Sequence, residues 1–239
     1  MMPTMMGVVQ RLLPGPAGPV TADDLAAGDR SCGDRPWLGV CMVASLDGST
    51  IVEGRSGALS SPDDTAVFAA LRRAADAVIV GAATVRHEGY GPPRKQGQRI
   101  GVVTTTGDVD TAGALFTSGA GFLVMPEDGP RAPDAAGRPV DTVRAGRGRV
   151  DLASALRRLD EVMDPPTFVQ AEGGPRLNGS LLAAGCIDEL NLTISPRLAG
   201  GVGARVIEGA APQLRGYTLV QLAVAEDSFL FGRWRRDDV

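Results

Sequence analysis

From Trp37 to Ala184, short apolar runs alternate with segments of helical periodicity, and beyond Ala184 the helical signal stops. That order constrains the fold more than any other feature. Strands separated by helices pair in parallel through right-handed crossovers, whereas consecutive strands without helices pair antiparallel. Strands are expected at 37–45, 77–80, 100–104, 121–125 and 167–171, with a weaker one at 139–143. Most are near-continuous apolar runs, as a sheet covered on both faces requires. Helices are expected at 61–75, 151–163 and 175–184, with a short helical entry at 81–86. The first opens with Ser61 as N-cap, Pro62 at the first helical position and Asp63 and Asp64 in the first turn; Val67, Phe68, Leu71, Ala74 and Ala75 then recur at helical spacing. Along 151–163, Leu152, Ala155, Leu156, Leu159, Val162 and Met163 share one face. The last helix has Pro175 just inside its start and Gly185 just past its end. Final strands are expected at 187–195, 204–207, 218–225 and 228–235, the last two flanking Glu226-Asp227 as a hairpin. The fold class is therefore α/β: one domain with a mostly parallel central sheet, antiparallel C-terminal strands and flanking helices.

A chain of 239 residues, 44% hydrophobic, can build one sizeable core. Aromatics are only 4%, so Ala, Val and Leu must fill it. A net charge of −4 and the lack of a basic face argue against a nucleic-acid partner. No apolar run reaches about 18 residues, which argues against a membrane span. Residues 1–10 have no basic n-region and no long apolar h-region, so no secretory signal is expected. Cys32, Cys41 and Cys186 are scattered and odd in number, which suggests reduced thiols and a cytoplasmic protein, with Cys41 and Cys186 as small core residues. Residues 1–35, rich in Pro, Gly and Asp, read as a flexible N-terminal tail or strap, leaving 36–239 as the folded domain.

Chemistry is expected where strands run into glycine and then a helix. Val80-Gly81-Ala82-Ala83-Thr84-Val85 is one such junction and Ala171-Glu172-Gly173-Gly174-Pro175 is the other. Glycine admits a ligand close to the backbone, and free helix amides favour phosphate. Either junction alone could be packing; two at the same sheet edge suit a dinucleotide, although no G-x-G-x-x-G follows the first strand. Ser45-Leu46-Asp47-Gly48 ends the first strand and reads either as a turn or as a polar rim of the same cleft. Gly200, Gly201 and Gly203 read as a turn or as cleft lining. Glu172 and Asp47, both at strand ends, are the candidate acids for delivering a proton; Glu172 could equally orient its loop.

Taken together, Ser45-Leu46-Asp47-Gly48, Ser60-Ser61-Pro62, Gly81-Ala82-Ala83-Thr84-Val85, Glu172-Gly173-Gly174-Pro175 and Asp188-Glu189-Leu190 resemble the RibD C-terminal domain family, the riboflavin-pathway pyrimidine reductases, over residues 36–236. The resemblance implies a dihydrofolate-reductase-like fold, a homodimer, and NADPH-dependent reduction of a ribosylaminopyrimidine phosphate of the 5-amino-6-(5-phosphoribosylamino)uracil type to its ribityl form. It assigns cofactor contacts to Gly81, Thr84, Val85, Thr104, Thr105, Gly173, Gly174 and Pro175, with Thr104 to Thr106 either holding a 2′-phosphate or forming a plain loop. It assigns the substrate side to Ser45, Asp47, Ser60, Glu88 and Glu172. Basic groups that grip phosphate in the family are replaced here: Cys41 stands where bifunctional members have lysine, and Thr65 where they have arginine. Ala58 replaces a tryptophan, and Glu88-Gly89-Tyr90 an Asp-Asp-Pro. Arg94, with Lys95, could supply a missing cation.

No zinc-deaminase signature occurs, and the sole histidine, His87, has no cysteine pair beside it, so no metal is expected. Alternative readings are a dihydrofolate-reductase-like enzyme acting on a pterin and a non-catalytic nucleotide-binding module. The apolar stretch 187–194, if an exposed edge, would also call for a dimer.

Overall fold

The computed structural model describes residues 8–31, 33–131 and 137–237. In chain order its elements are β1 (Val9–Leu13), β2 (Gly18–Pro19), α1 (Ala22–Ala26), β3 (Trp37–Ala44), α2 (Pro62–Ala74), β4 (Ala77–Gly81), α3 (Ala82–Glu88), β5 (Arg99–Val103), α4 (Ala114–Thr117), β6 (Gly121–Met125), β7 (Thr142–Arg144), α5 (Leu152–Arg157), β8 (Phe168–Ala171), α6 (Pro175–Ala183), β9 (Glu189–Ile194), β10 (Tyr217–Ala225) and β11 (Leu230–Arg236). All eleven strands form one sheet in the order β2-β1-β10-β11-β9-β3-β8-β4-β5-β6-β7. From β9 to β7 every pairing is parallel; from β9 to β2 every pairing is antiparallel. The alternation read from the sequence thus produces the expected α/β architecture.

Strand alternation sends side chains to two cores. On β4, Ala77 and Ile79 join Leu38, Val40, Val169, Leu156 and Leu181 on one face, where α5 and α6 cover the sheet. Val78 and Val80 point the other way, with Ile100, Val102, Leu115 and Phe116. A third cluster joins Val67 and Leu71 of α2 to Leu25, Ala223 and Phe231 over the antiparallel part.

Five segments depart from expectation. The region read as a loose tail contains β1, which pairs with β10, and α1, which carries a capping box formed by Thr21 and Asp24 and docks Leu25 and Ala26. Arg233 fastens it, donating to Ala27 O at 2.6 Å and also to Leu25 O. Its composition signals turns but not the apolar anchors Val9 and Leu25; residues 1–7 lie outside the described part. Residues 204–207 form no strand, because their carbonyls serve neighbours rather than a ladder: Ala204 O accepts from Thr50 N, and Val206 O from Asn178 Nδ2. The helix at 151–163 breaks at Arg158 into a 3-10 turn, Leu159–Glu161, and the weak strand at 139–143 moves to Thr142–Arg144. Finally, β9 lies between β3 and β11, so 187–194 is not an exposed edge and gives no reason for a dimer. The Glu226-Asp227 hairpin is present between β10 and β11.

Candidate active site

The carboxyl ends of β3, β4, β5 and β8 open onto one cleft of about 2090 Å³. This is where an open parallel sheet presents loops and helix N-termini to a ligand. Its two glycine junctions are in contact: Gly81 N donates to Gly173 O at 2.7 Å. A Cβ on Gly174 would lie 2.8 Å from Thr84 Oγ1, and one on Gly81 would lie 3.4 Å from Gly174 N. At Gly174 a side chain would crowd the Thr84 hydroxyl, whereas at Gly81 a Cβ would meet only ordinary contact. The Gly173-Gly174 peptide is cis. Gly174 caps α6, whose first residues Pro175, Arg176 and Leu177 line the cleft. Farther along the same wall lie Thr104, Thr105 and Thr106 from the end of β5. Arg147 and Arg149, from the loop before α5, complete it. The side chains of Arg147, Arg149 and Arg176 have no partner among the described residues. A bare backbone cradle ringed by free cations is chemically suited to a dinucleotide with its phosphates.

Beside these glycines the cleft is built on Glu172, which is 6% exposed at the end of β8. Four donors from the protein converge on its carboxylate. Arg72 Nε reaches Oε1 at 2.6 Å while Arg72 Nη2 bonds Oε2; Gln170 Nε2 donates to Oε1 at 2.9 Å and Tyr90 Oη to Oε2 at 2.8 Å. The Arg72 guanidinium also lies over the Phe68 ring (4.8 Å) and the Tyr90 ring (5.3 Å). Burial, reinforced by the neighbouring carboxylate, raises the Tyr90 phenol, so it stays protonated and donates. Glu172 is thus held as an acceptor by a bidentate arginine.

The structure gathers Ser60, Glu88, Gly81, Thr84, Thr104, Thr105, Glu172, Gly174 and Pro175 around the cleft. It does not bring all the candidates there. Ser45 and Asp47 are not among the lining residues. Ser45 Oγ donates to Asp47 Oδ1 at 2.5 Å, and Asp47 accepts from Ala199 N and Gly200 N at 3.0 and 2.8 Å. These bonds, the Ala199 amide first, hold the Asp47 carboxyl at about 2, far too acidic to deliver a proton near neutrality. The Ser-Leu-Asp-Gly segment staples the β3–α2 loop to the 199–200 loop. Val85 packs into the second core, and Gly173 contributes its carbonyl to Gly81 rather than a wall. Arg94 is exposed and, like Lys95, is not among the lining residues; Lys95 donates to Ala75 O at 2.7 Å. Cys41 lines the cleft, its thiol pushed well up by burial and by the Asp64 and Glu172 charges, so it stands as a neutral wall. His87 is at the rim. Among the described residues no group of His, Cys, Asp and Glu could hold a metal ion. No helix of the described residues is long and apolar enough to cross a membrane.

Sequence reading passed over Asp64, Arg72 and Tyr90. Asp64 reads as an ordinary first-turn helix charge, and Arg72, in the last turn of the same helix, drew no reading. The available signal was placement on the turn-spaced face shared with Phe68, which the helical pattern itself assigned to the interior.

The RibD C-terminal domain model matches residues 36–227. The 2,5-diamino-6-ribosylamino-4(3H)-pyrimidinone 5′-phosphate reductase of Methanothermobacter thermautotrophicus is 28% identical over 185 residues, covering 72% of this chain and 83% of that protein. Among solved structures, a pyrimidine reductase-like protein from Corynebacterium diphtheriae superposes with a TM-score of 0.75 at 20% identity, covering 91% of this chain and 99% of the other. Dihydrofolate reductase from Enterococcus faecalis, complexed with NADP(H), gives a TM-score of 0.51 at 15% identity over 84% of this chain and 97% of its own. The matched span takes in most of the chain, and the chain belongs to the RibD C-terminal domain family.

Proposed function

We propose that this protein is an NADPH-dependent reductase that converts the ribosyl group of a ribosylaminopyrimidine phosphate to a ribityl group. The observation that carries this reading is the contact between the two glycine junctions, Gly81 N to Gly173 O at 2.7 Å, directly beside the buried Glu172–Arg72 pair. When bound, NADPH would supply the hydride. The substrate's C1′ gains that hydride, its bond to the ring oxygen opens, and the oxygen takes up a proton. The chain's part is to hold both reactants in line and to keep water ordered. Gly81, Thr84, Thr104, Thr105, Gly174 and Pro175 line the cofactor half, and Ser60, Glu88 and Glu172 the substrate half. Glu172, committed to four donors, acts as the anchor of the substrate wall; water is the proton source this reading favours. The free Arg147 and Arg149 favour the 2′-phosphate of NADPH over the bare ribose of NADH. We further propose a homodimer, on the exposed Leu198, Val202 and Leu214 in the loops between β9 and β10. Light scattering that returned a 24.7 kDa particle at working concentration would refute that part.

Titration with NADPH and NADH, followed by NADPH consumption with the ribosylaminopyrimidine phosphate or with dihydrofolate, tests the activity. Binding of neither nucleotide overturns the reductase reading. Turnover of dihydrofolate alone transfers it to a pterin, and binding without any turnover leaves a nucleotide-binding module.

A further inference from the structure

The segment between β3 and α2 crosses the mouth of the cleft. It is fixed at both ends. Thr50 N and Oγ1 donate to Ala204 O at 2.8 and 3.0 Å, and Arg197 Nη1 donates to Ala58 O and Ser60 O at 3.0 and 3.2 Å. Between these anchors the chain folds on itself in a two-residue turn. Val52 and Arg55 exchange both backbone bonds, at 2.8 and 3.0 Å, around Glu53 and Gly54 at φ 49° and 80°. Just beyond the turn, Ser56 Oγ reaches Glu88 Oε1 at 3.4 Å, in α3 after β4. Since β8 lies between β3 and β4, a segment that leaves β3 and meets α3 passes over the end of β8, where Glu172 stands. Residues 51–57 therefore roof the half of the cleft that holds Glu172. Arg55 lies on that roof, exposed and lining the cleft, and its guanidinium has no partner among the described residues. The other arginines of the cleft are spent or distant. Arg72 is bidentate on Glu172, and Arg86 donates to Asp108 O at 2.6 Å. Arg147 and Arg149 stand in the loop before α5, and Arg176 follows the Gly174 cap.

Building on the pyrimidine-reductase reading of the cleft, we propose that Arg55, carried on the 51–57 roof, is the residue that grips the substrate's phosphate. Cys41 and Thr65, on the floor and wall below it, carry no positive charge. The remaining charges near the roof are the acids Glu53 and Glu88 and the mutually paired Arg72 and Glu172. Without Arg55, a phosphate dianion there would meet carboxylates and a cation already neutralised. A guanidinium with its fork unoccupied matches two phosphate oxygens at once. Its place on a tethered turn lets it meet the ligand without disturbing the buried pair beneath.

Equilibrium binding to the full chain tests this without turnover, using the ribosylaminopyrimidine phosphate, the same compound without its phosphate, and NADPH titrated separately. The wild type should bind the phosphorylated compound about 10-fold more tightly than the dephosphorylated one, the size of a hydrogen bond between charged groups. That preference should shrink as salt is raised. In Arg55→Ala it should vanish, while affinity for the dephosphorylated compound and for NADPH holds. Arg55→Lys, which keeps the charge and loses the fork, should retain part of it. A preference that survives in Arg55→Ala overturns the assignment, as does an equal loss for both compounds, which would mean that Arg55 shapes the roof and not the phosphate site. If the wild type binds both compounds equally, the phosphate grip fails and the pyrimidine reading stands. If NADPH binds and neither pyrimidine does, both fail.

Discussion

The two walls of the cleft are made of different materials. One wall is mainly backbone: Gly81 N donates to Gly173 O, and a Cβ on Gly174 would crowd Thr84. The other wall is charge held by long-range convergence: Arg72 comes from 100 residues before Glu172, and Tyr90 from 82. A backbone wall tolerates changes that leave its close approach intact. A charged wall fails as a unit, because removing one partner strands the other in a poorly solvated place.

The largest expected effect therefore falls on the charged wall. Arg72→Ala leaves Glu172 buried without its cation and should lower unfolding free energy by about 3–5 kcal/mol in urea titration. The double variant with Glu172→Gln should recover part of that loss; an equal loss in both would mean that the two residues are not coupled. Next comes the backbone wall. Gly174→Val puts a side chain where a Cβ already lies 2.8 Å from Thr84 Oγ1. It should reduce kcat/KM with NADPH by about 100-fold, the effect of a displacement near 1 Å, with little change in stability. A large loss of stability with intact kcat/KM would reverse the contrast between the walls. Smaller still, Arg147→Ala combined with Arg149→Ala should cut the ratio of NADPH to NADH affinity by about 10-fold in fluorescence titration. An unchanged ratio would remove these arginines from cofactor binding.

The smallest effect belongs to Asp47, which stands outside both walls. Its carboxyl is lowered from 3.8 to about 2 by the Ala199, Ser45 and Gly200 bonds. A carboxyl depressed by folding contributes stability that is fully present above its ordinary value and is lost as pH falls through the folded one. Melting curves between pH 4 and pH 2 should therefore show a steeper acid loss for the wild type than for Asp47→Asn. The turnover rate near neutral pH should change little. A collapse in turnover would return Asp47 to the chemistry.

Local signals were legible where local conformation decides the outcome. Ser61-Pro62 marked the start of α2 and Gly174-Pro175 that of α6 because caps and fixed φ angles act within one turn. The glycine junctions could be nominated for the same reason, but their mutual contact could not, since residues 81 and 173 are brought together only by β4 pairing with β8. The strap illustrates the opposite limit. Its Pro, Gly and Asp content concealed a strand because pairing with β10 is decided by a partner some two hundred residues away. Ser45 and Asp47 were drawn to the site by their position after β3, yet the turn they form points to the 199–200 loop.

The sequence by itself determined the alternation of strands and helices, hence the parallel sheet, its antiparallel C-terminal strands and the sheet edge at which a ligand must sit. Periodicity, caps and glycine act over a few residues and need no partner. Only the tertiary structure decided which acids are buried, which have a cation and which face open space. Asp64 and Glu172 are both carboxylates near the cleft, but one is held by Arg72 and the other by hydroxyls alone. That difference depends on the dielectric and donors each meets after folding, and these are properties of neighbours distant in the chain.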